Sequence, residues 1–226
     1  MEYNISGINL QKIINNIHYL DKLNNKNKKV FLVLGGSFNP VHVSHITLFD
    51  IAHEYLKKYN IEVVGGFLGI TSDFHVINKL GRDAMLLQNR IDICEIACKY
   101  SKLVVPIGWR EGDSIITTQK IEKLILNHFG YNIEGINICG SDLFNRGGFF
   151  KNNVVCVKRK GCNISDNIIK RRNSNLLTYI IEQTDDDIGY DLSSTKCREL
   201  IVNKLWKELR ESGWIYDDVI DYLSKN

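Results

Sequence analysis

Residues 30 to 34 (VFLVL) form an unbroken run of β-branched, aromatic and aliphatic side chains that leads directly into Gly35-Gly36-Ser37-Phe38-Asn39-Pro40-Val41-His42-Val43-Ser44-His45. From Ile46 to Tyr59, apolar residues recur at helical spacing. A buried strand, a glycine-bearing turn and a helix in that order put the turn at the carboxyl edge of an α/β sheet. There backbone N–H groups can approach an anion and the helix N-terminus adds positive potential, so the stretch predicts phosphate binding. His42 and His45 stand three apart at the mouth of the helix, and one turn can aim both imidazoles at the same anion. The pattern is neither the phosphate loop GxxxxGKS/T nor the dinucleotide turn GxGxxG. Its plain alternative is a glycine-rich turn with two unrelated histidines, because glycine is common in turns for backbone reasons alone.

The rest of the chain repeats the alternation. Strands are expected at Ile61 to Thr71, Leu103 to Ile107, Ile136 to Cys139, Val154 to Val157 and Tyr179 to Gln183. Helices are expected from about Arg82 to Tyr100, from Asp113 or Ser114 to Phe129, from Ser194 to Glu211 and from Tyr216 to Ser224. Short buried strands joined by helices predict an α/β fold of Rossmann-like, doubly wound type: a mostly parallel sheet with helices on both faces. Ahead of it, Ile8, Leu10, Ile13, Ile14, Ile17, Leu20 and Leu23 form a helical stripe that ends in the polar segment Asn24 to Lys28. Residues 1–28 thus read as an N-terminal helical extension packed on a domain spanning 29–226.

Composition narrows the functional classes. Twenty-nine Lys and Arg against 26 Asp and Glu leave a net charge of +3 in 226 residues, which is not the footprint of a nucleic-acid or membrane-surface binder. The N-terminal residues lack the basic and apolar regions of a signal peptide, and no run approaches the ~20 apolar residues of a membrane span. Six cysteines form no CxxC pair and no disulfide framework, and Cys94 and Cys98 lack partners for a metal site. A cytoplasmic or nuclear setting is the expectation. Lys170, Arg171 and Arg172 read as solvated surface, as charge runs usually do. The oligomeric state stays open, a homo-oligomer included.

A second motif, Asp191-Leu192-Ser193-Ser194-Thr195-Lys196-Cys197-Arg198, places hydroxyl residues at a helix N-terminus and an arginine one turn in. Alone it is helix capping. Together with the first motif it makes a second phosphate cradle, since an arginine fork pairs with phosphate oxygens. Three segments now stand in order: Gly36-Ser37-Phe38-Asn39-Pro40 with His42 and His45, Cys139-Gly140-Ser141-Asp142, and Leu192-Ser193-Ser194-Thr195 with Arg198. Over roughly residues 30 to 225 the chain resembles the nicotinamide or nicotinic acid mononucleotide adenylyltransferases of the HxGH nucleotidyltransferase superfamily, and the eukaryotic type in particular. Ser44 stands where the HxGH signature usually has glycine.

The resemblance implies a reaction: the 5′-phosphate of a pyridine mononucleotide attacks the α-phosphorus of ATP, releasing pyrophosphate and leaving a dinucleotide. It implies His42, His45 and Arg198 as catalytic residues, and Gly36, Ser37, Phe38, Arg82, Gly140, Asp142, Ser194, Thr195, Lys196 and Cys197 at the ATP. Arg82 or Lys79 corresponds to a lysine that reaches ATP in the family. Trp109 fits the family's tryptophan at the pyridine pocket, while Arg110 replaces an acidic neighbour. The family's second, stacking tryptophan is missing from the short segment between Leu143 and Asn153, where Phe149 or Phe150 could substitute. Mg2+ is expected to arrive with ATP, bound mainly by phosphates and water. Two other readings stay open: the same chemistry on a different phosphorylated acceptor, such as phosphopantetheine or an alcohol phosphate activated by CTP, and nucleotide binding without turnover.

Overall fold

The structure is a computed structural model, and it describes residues 4–5, 7–108, 114–147, 152–158, 161–172, 175–182 and 192–225. A small antiparallel pair, β1 (Asn4–Ile5) with β2 (Ile8–Asn9), precedes α1 (Gln11–Lys22). Then follow β3 (Lys28–Gly36), α2 (Val43–Lys57), β4 (Ile61–Ile70), α3 (Asp73–Leu80), α4 (Leu87–Ala97) and β5 (Val104–Gly108). The second half runs α5 (Ser114–Phe129), β6 (Glu134–Gly140), α6 (Ser141–Asn145), β7 (Val154–Lys158), α7 (Asp166–Arg171) and β8 (Thr178–Glu182). It closes with α8 (Ser194–Val202), α9 (Trp206–Glu211) and α10 (Asp217–Lys225).

Six strands form one sheet in the order β5-β4-β3-β6-β7-β8, and every neighbouring pair is parallel. Chain order therefore reverses between β3 and β6, the topological switch point beside which open α/β sheets hold ligands. This is the doubly wound sheet expected from the alternation of strands and helices. Three glycines record how closely the helices sit on it. A Cβ on Gly65 would lie 2.1 Å from Ile13 of α1, one on Gly66 would lie 2.4 Å from Phe49 of α2, and one on Gly135 would lie 2.2 Å from Thr118 of α5. Gly65 and Gly66 are adjacent in β4 and face opposite ways, so α1 and α2 cover opposite faces. Gly135 and Gly65 both pair with Phe31 and share its face, which puts α5 on the α1 side.

On α1, Ile13, Ile14 and Ile17 are buried in the same core as Phe31, Leu32 and Phe67. Lys12 adds a polar anchor: its ammonium donates to the carbonyls of Cys98, Ser101 and Val104 at 2.9, 2.7 and 2.7 Å. Burial pushes its pKa below the usual lysine value.

Two helical expectations and one surface expectation change in detail. The segment read as one helix from Arg82 begins at Leu87, after α3 and a 3-10 turn at Gly81–Asp83. Gly81 (φ +57°) ends α3, whose single buried side chain, Val76, left little periodic signal. The helix expected from Ser194 to Glu211 breaks at Asn203 and Lys204: the Asn203 amide donates to the Glu199 carbonyl at 2.7 Å, and Lys204 turns left-handed at φ +54°. The basic run is not all solvated either. Arg172 is 9% exposed, donates to Thr178 Oγ1 at 2.8 Å and lies over the Phe144 ring.

Candidate active site

The nucleotide turn begins where β3 ends at Gly36. A Cβ there would come within 3.1 Å of the Phe38 ring, so glycine lets the chain fold back over itself. Phe38 takes φ +45° and is 2% exposed. Asn39 is buried and ties the turn to the segment before α4: its amide donates to the Asp83 carbonyl at 2.8 Å, and its oxygen accepts from the Met85 N–H at 2.7 Å. The next peptide bond, to Pro40, is cis.

His42 caps α2. His45, in the first turn, accepts the His42 backbone N–H at Nδ1 over 3.1 Å. An imidazole that accepts at Nδ1 carries its neutral-form proton on Nε2, and so presents a donor on its other edge. The two imidazoles stack at 3.6 Å, and the Phe38 ring packs edge-on to His45 at 4.9 Å. Both histidines are thus fixed at the positive end of a 15-residue helix.

The second motif faces them. Ser193 caps α8 by accepting the Lys196 N–H at 3.4 Å, and the Ser194 hydroxyl donates to the Pro40 carbonyl at 3.2 Å. Arg198 donates to the Asn39 carbonyl at 2.9 Å and to Thr195 Oγ1 at 3.0 Å. The bonds to Pro40 and Asn39 join segments more than 150 residues apart. Cys197 is fully buried and burial pushes its thiol up to about 12, so only its backbone can serve a ligand.

Between the two helix mouths lies a cleft at the switch point. One lobe, of about 240 Å³, is lined by Gly36, Phe38, His42, Ser44, His45, Gly140 and Ser194 among others. A second lobe, of about 350 Å³, shares Gly36, Phe38, His45, Gly140 and Ser194 and adds Ser37, Asn39, Lys79, Asp142 and Arg198. At Gly140, which caps α6, an added Cβ would meet nothing within 4 Å. That glycine leaves open space rather than filling a packing gap.

Of the residues expected at the ATP, Gly36, Ser37, Phe38, Gly140, Asp142 and Ser194 line the cleft together with His42, His45 and Arg198. Thr195 is exposed and reaches the site through Arg198, and Lys196 contributes the N–H that its cap accepts. Arg82 sits exposed in the 3-10 turn and is not among the cleft-lining residues, whereas Lys79, in the last turn of α3, is. Trp109, Arg110 and Phe149, expected at the acceptor, lie outside the described residues, as does Asp191.

Sequence reasoning passed over two residues. Asn39 carries no signal in the sequence beyond its place in the turn motif. Arg90 was lost inside a helix, although it shares the inward stripe Arg90, Ile93, Cys94 and Ala97 of α4. A lone cation on such a stripe must be paired, and that is the signal that could have found it. Its guanidinium is fully buried and donates to the carbonyls of Met85, Ser37 and Thr71 and to the Asp73 carboxylate.

A family model described as cytidylyltransferase-like matches residues 33–200. Among curated proteins, the chain is 24% identical over 219 residues to a nicotinamide/nicotinic acid mononucleotide adenylyltransferase of Arabidopsis thaliana, covering 87% of this chain and 88% of that one. It is 29% identical over 213 residues to a probable nicotinate-nucleotide adenylyltransferase of Clostridium botulinum, covering 86% and 96%. Among solved structures, nicotinic acid mononucleotide adenylyltransferase of Plasmodium falciparum, complexed with NaAD, superposes with a TM-score of 0.62 at 17% identity, covering 88% of this chain and 95% of that one.

Proposed function

The chain belongs to the cytidylyltransferase-like family, and from that premise we propose that it is a nicotinamide/nicotinate-nucleotide adenylyltransferase, joining ATP to a pyridine mononucleotide to give NAD or its deamido form and pyrophosphate. One observation carries the reading: the mouths of α2 and α8 open on a single cleft at the switch point, with His45, Lys79 and Arg198 around it. The names of the relatives over nearly their whole length supply the acceptor class.

A phosphate nucleophile is already anionic near neutral pH, so the reaction asks for positioning and charge stabilisation rather than a strong base. An oxygen of the mononucleotide phosphate attacks the α-phosphorus in line, and the bond to the bridging oxygen of pyrophosphate breaks. His45 presents Nε2–H to the oxygens that gain charge, beside the N-terminal amides of α2. Arg198 and Ser194 hold the phosphates from the α8 side, and Lys79 approaches from the end of α3. Asp142 accepts from sugar hydroxyls. Gly140 leaves room for the nucleoside.

Mg2+ fits this site as a companion of the triphosphate. The described cleft side chains offer cations and hydroxyls with a single carboxylate, Asp142, a set suited to phosphate oxygens and to a hydrated ion. When bound, the ion would neutralise charge on the triphosphate, held mainly by phosphate oxygens and water.

No helix among the described residues is long and apolar enough to cross a membrane. A cytoplasmic or nuclear setting accords with six unbridged cysteines, five of them buried.

Pyrophosphate release with MgATP tests the function, comparing nicotinamide mononucleotide, nicotinic acid mononucleotide, phosphopantetheine and no acceptor. Release with either pyridine mononucleotide, and a dinucleotide product, is the expected result. Release with phosphopantetheine alone would assign a different acceptor. ATP binding with no release would leave a nucleotide-binding protein.

A further inference from the structure

We propose that Arg90 is a positioning residue for the phosphate-binding turn, acting through backbone groups and touching no substrate; the inference rests on the nucleotide reading of the cleft given above. Arg90 NH1 holds the Ser37 carbonyl at 3.0 Å and the Thr71 carbonyl at 2.8 Å, NH2 holds Asp73 Oδ1 at 2.9 Å, and Nε holds the Met85 carbonyl at 3.0 Å. One planar fork thereby spans the turn after β3, the turn after β4 and the segment before α4.

Each contact has a consequence in the cleft. A trans peptide is planar with its C=O and N–H opposed, so drawing the Ser37 carbonyl inward turns the Phe38 N–H away from the guanidinium, toward the cleft that Ser37 and Phe38 line. Phe38 holds φ +45° there, a conformation a side-chain-bearing residue rarely adopts unless its surroundings impose it. Asp73 opens α3, whose last turn carries Lys79 to the same cleft, so the ion pair sets where that ammonium arrives. Through Met85, whose N–H binds Asn39, the network reaches the carbonyl that Arg198 grips. Arg90 therefore sets an amide donor on one side of the anion and a lysine on another. Lys12, a half-buried cation, grips carbonyls at the amino end of β5, on the edge of the sheet opposite the cleft.

Lysine is not an isostere at such a fork, because it offers a single point of charge in place of a plane of donors. Arg90→Lys, assayed at a temperature where circular dichroism reports it fully folded, is expected to lose ~10-fold or more in kcat/KM for MgATP, in keeping with the cost of small misplacements at a reacting centre. Its calorimetric affinity for ATP should weaken in parallel. Asp73→Asn, at a partly exposed carboxylate, removes the charge from one contact and leaves the rest, so it folds more readily and should show a smaller loss of the same kind. Lys12→Met is the comparison: its melting temperature should fall while its MgATP kinetics stay at the wild-type level. Wild-type kinetics and affinity in folded Arg90→Lys and Asp73→Asn would overturn the proposal. So would Lys12→Met kinetics that decline in step with its melting temperature, since the effect would then be general stability. Wild-type protein that binds ATP but releases no pyrophosphate with any acceptor would instead remove the adenylyl-transfer reading, and the affinity loss in Arg90→Lys would still decide the role of Arg90.

Discussion

His45 sits where three constraints meet: its Nδ1 accepts a backbone N–H, its ring stacks on His42, and Phe38 closes its edge. Its ring is therefore held in one orientation at the wall of the cleft. His45→Ala is expected to lower kcat by about 10²-fold or more, the usual loss for one preorganised donor to a charged transition state, while circular dichroism stays that of the wild type. Gly140 makes the opposite case. With φ −80° and nothing within 4 Å of an added Cβ, the position has room for a Cβ and a backbone that any residue can adopt. Gly140→Val should melt within a few degrees of wild type and yet raise KM for ATP severalfold, because its methyls occupy the cleft. Equal KM values would place the nucleoside elsewhere. The place of Arg198 at the cleft, where it binds the Asn39 carbonyl and Thr195, was legible from its position one turn into a capped helix. Its grip on the first motif was not, because that partner lies 159 residues away.

At the scale of elements, close contact between sheet and helices is set by glycines that have no neighbour to spare. Gly135→Ala on β6 would push a methyl to 2.2 Å from Thr118 and 2.7 Å from Phe31. Urea unfolding should show a loss of about 1–3 kcal/mol, as overpacking of a tight core costs. Glu122 on α5 accepts the Gly135 N–H at 2.8 Å, and burial, only partly offset by that bond, raises its carboxyl above the ordinary 4.5. A carboxyl raised in the folded state stabilises when protonated, and that contribution is lost as pH rises through the folded value. Glu122→Gln keeps an acceptor for Gly135 without the buried charge. It should therefore melt above wild type at pH 7, with the advantage vanishing below the ordinary glutamate range; an advantage that grew on acidification would contradict the burial argument. The strands were readable because buried parallel strands are near-continuous apolar runs. The short α3, α6 and α7 were not, since five to eight residues leave too few turns for a helical period to appear.

At the scale of the whole molecule, α1 shares the core of the sheet. Its isoleucines and the Lys12 anchor cover β4 and β5 on the face that α5 covers further along. Removing residues 1–26 should expose that face and yield a protein that binds a hydrophobic dye and loses its cooperative melt, while a sharp melt would make the segment dispensable. The alternation of apolar runs and amphipathic segments was enough to determine a parallel doubly wound sheet, because strand type and helix face are local consequences of side-chain period. The two motifs that line the cleft were likewise legible as a strand-to-helix turn and a capped helix, because helix caps, glycine turns and histidine spacing are properties of a few consecutive residues. What the tertiary structure alone decided is convergence. The reversal of strand order between β3 and β6 brings Gly36 and Gly140 side by side, α8 carries Arg198 back to Asn39, and Arg90, unremarkable in a helix, becomes the buried fork that holds two turns in register. Those contacts join residues far apart along the chain, and only the packed sheet sets the distances between them.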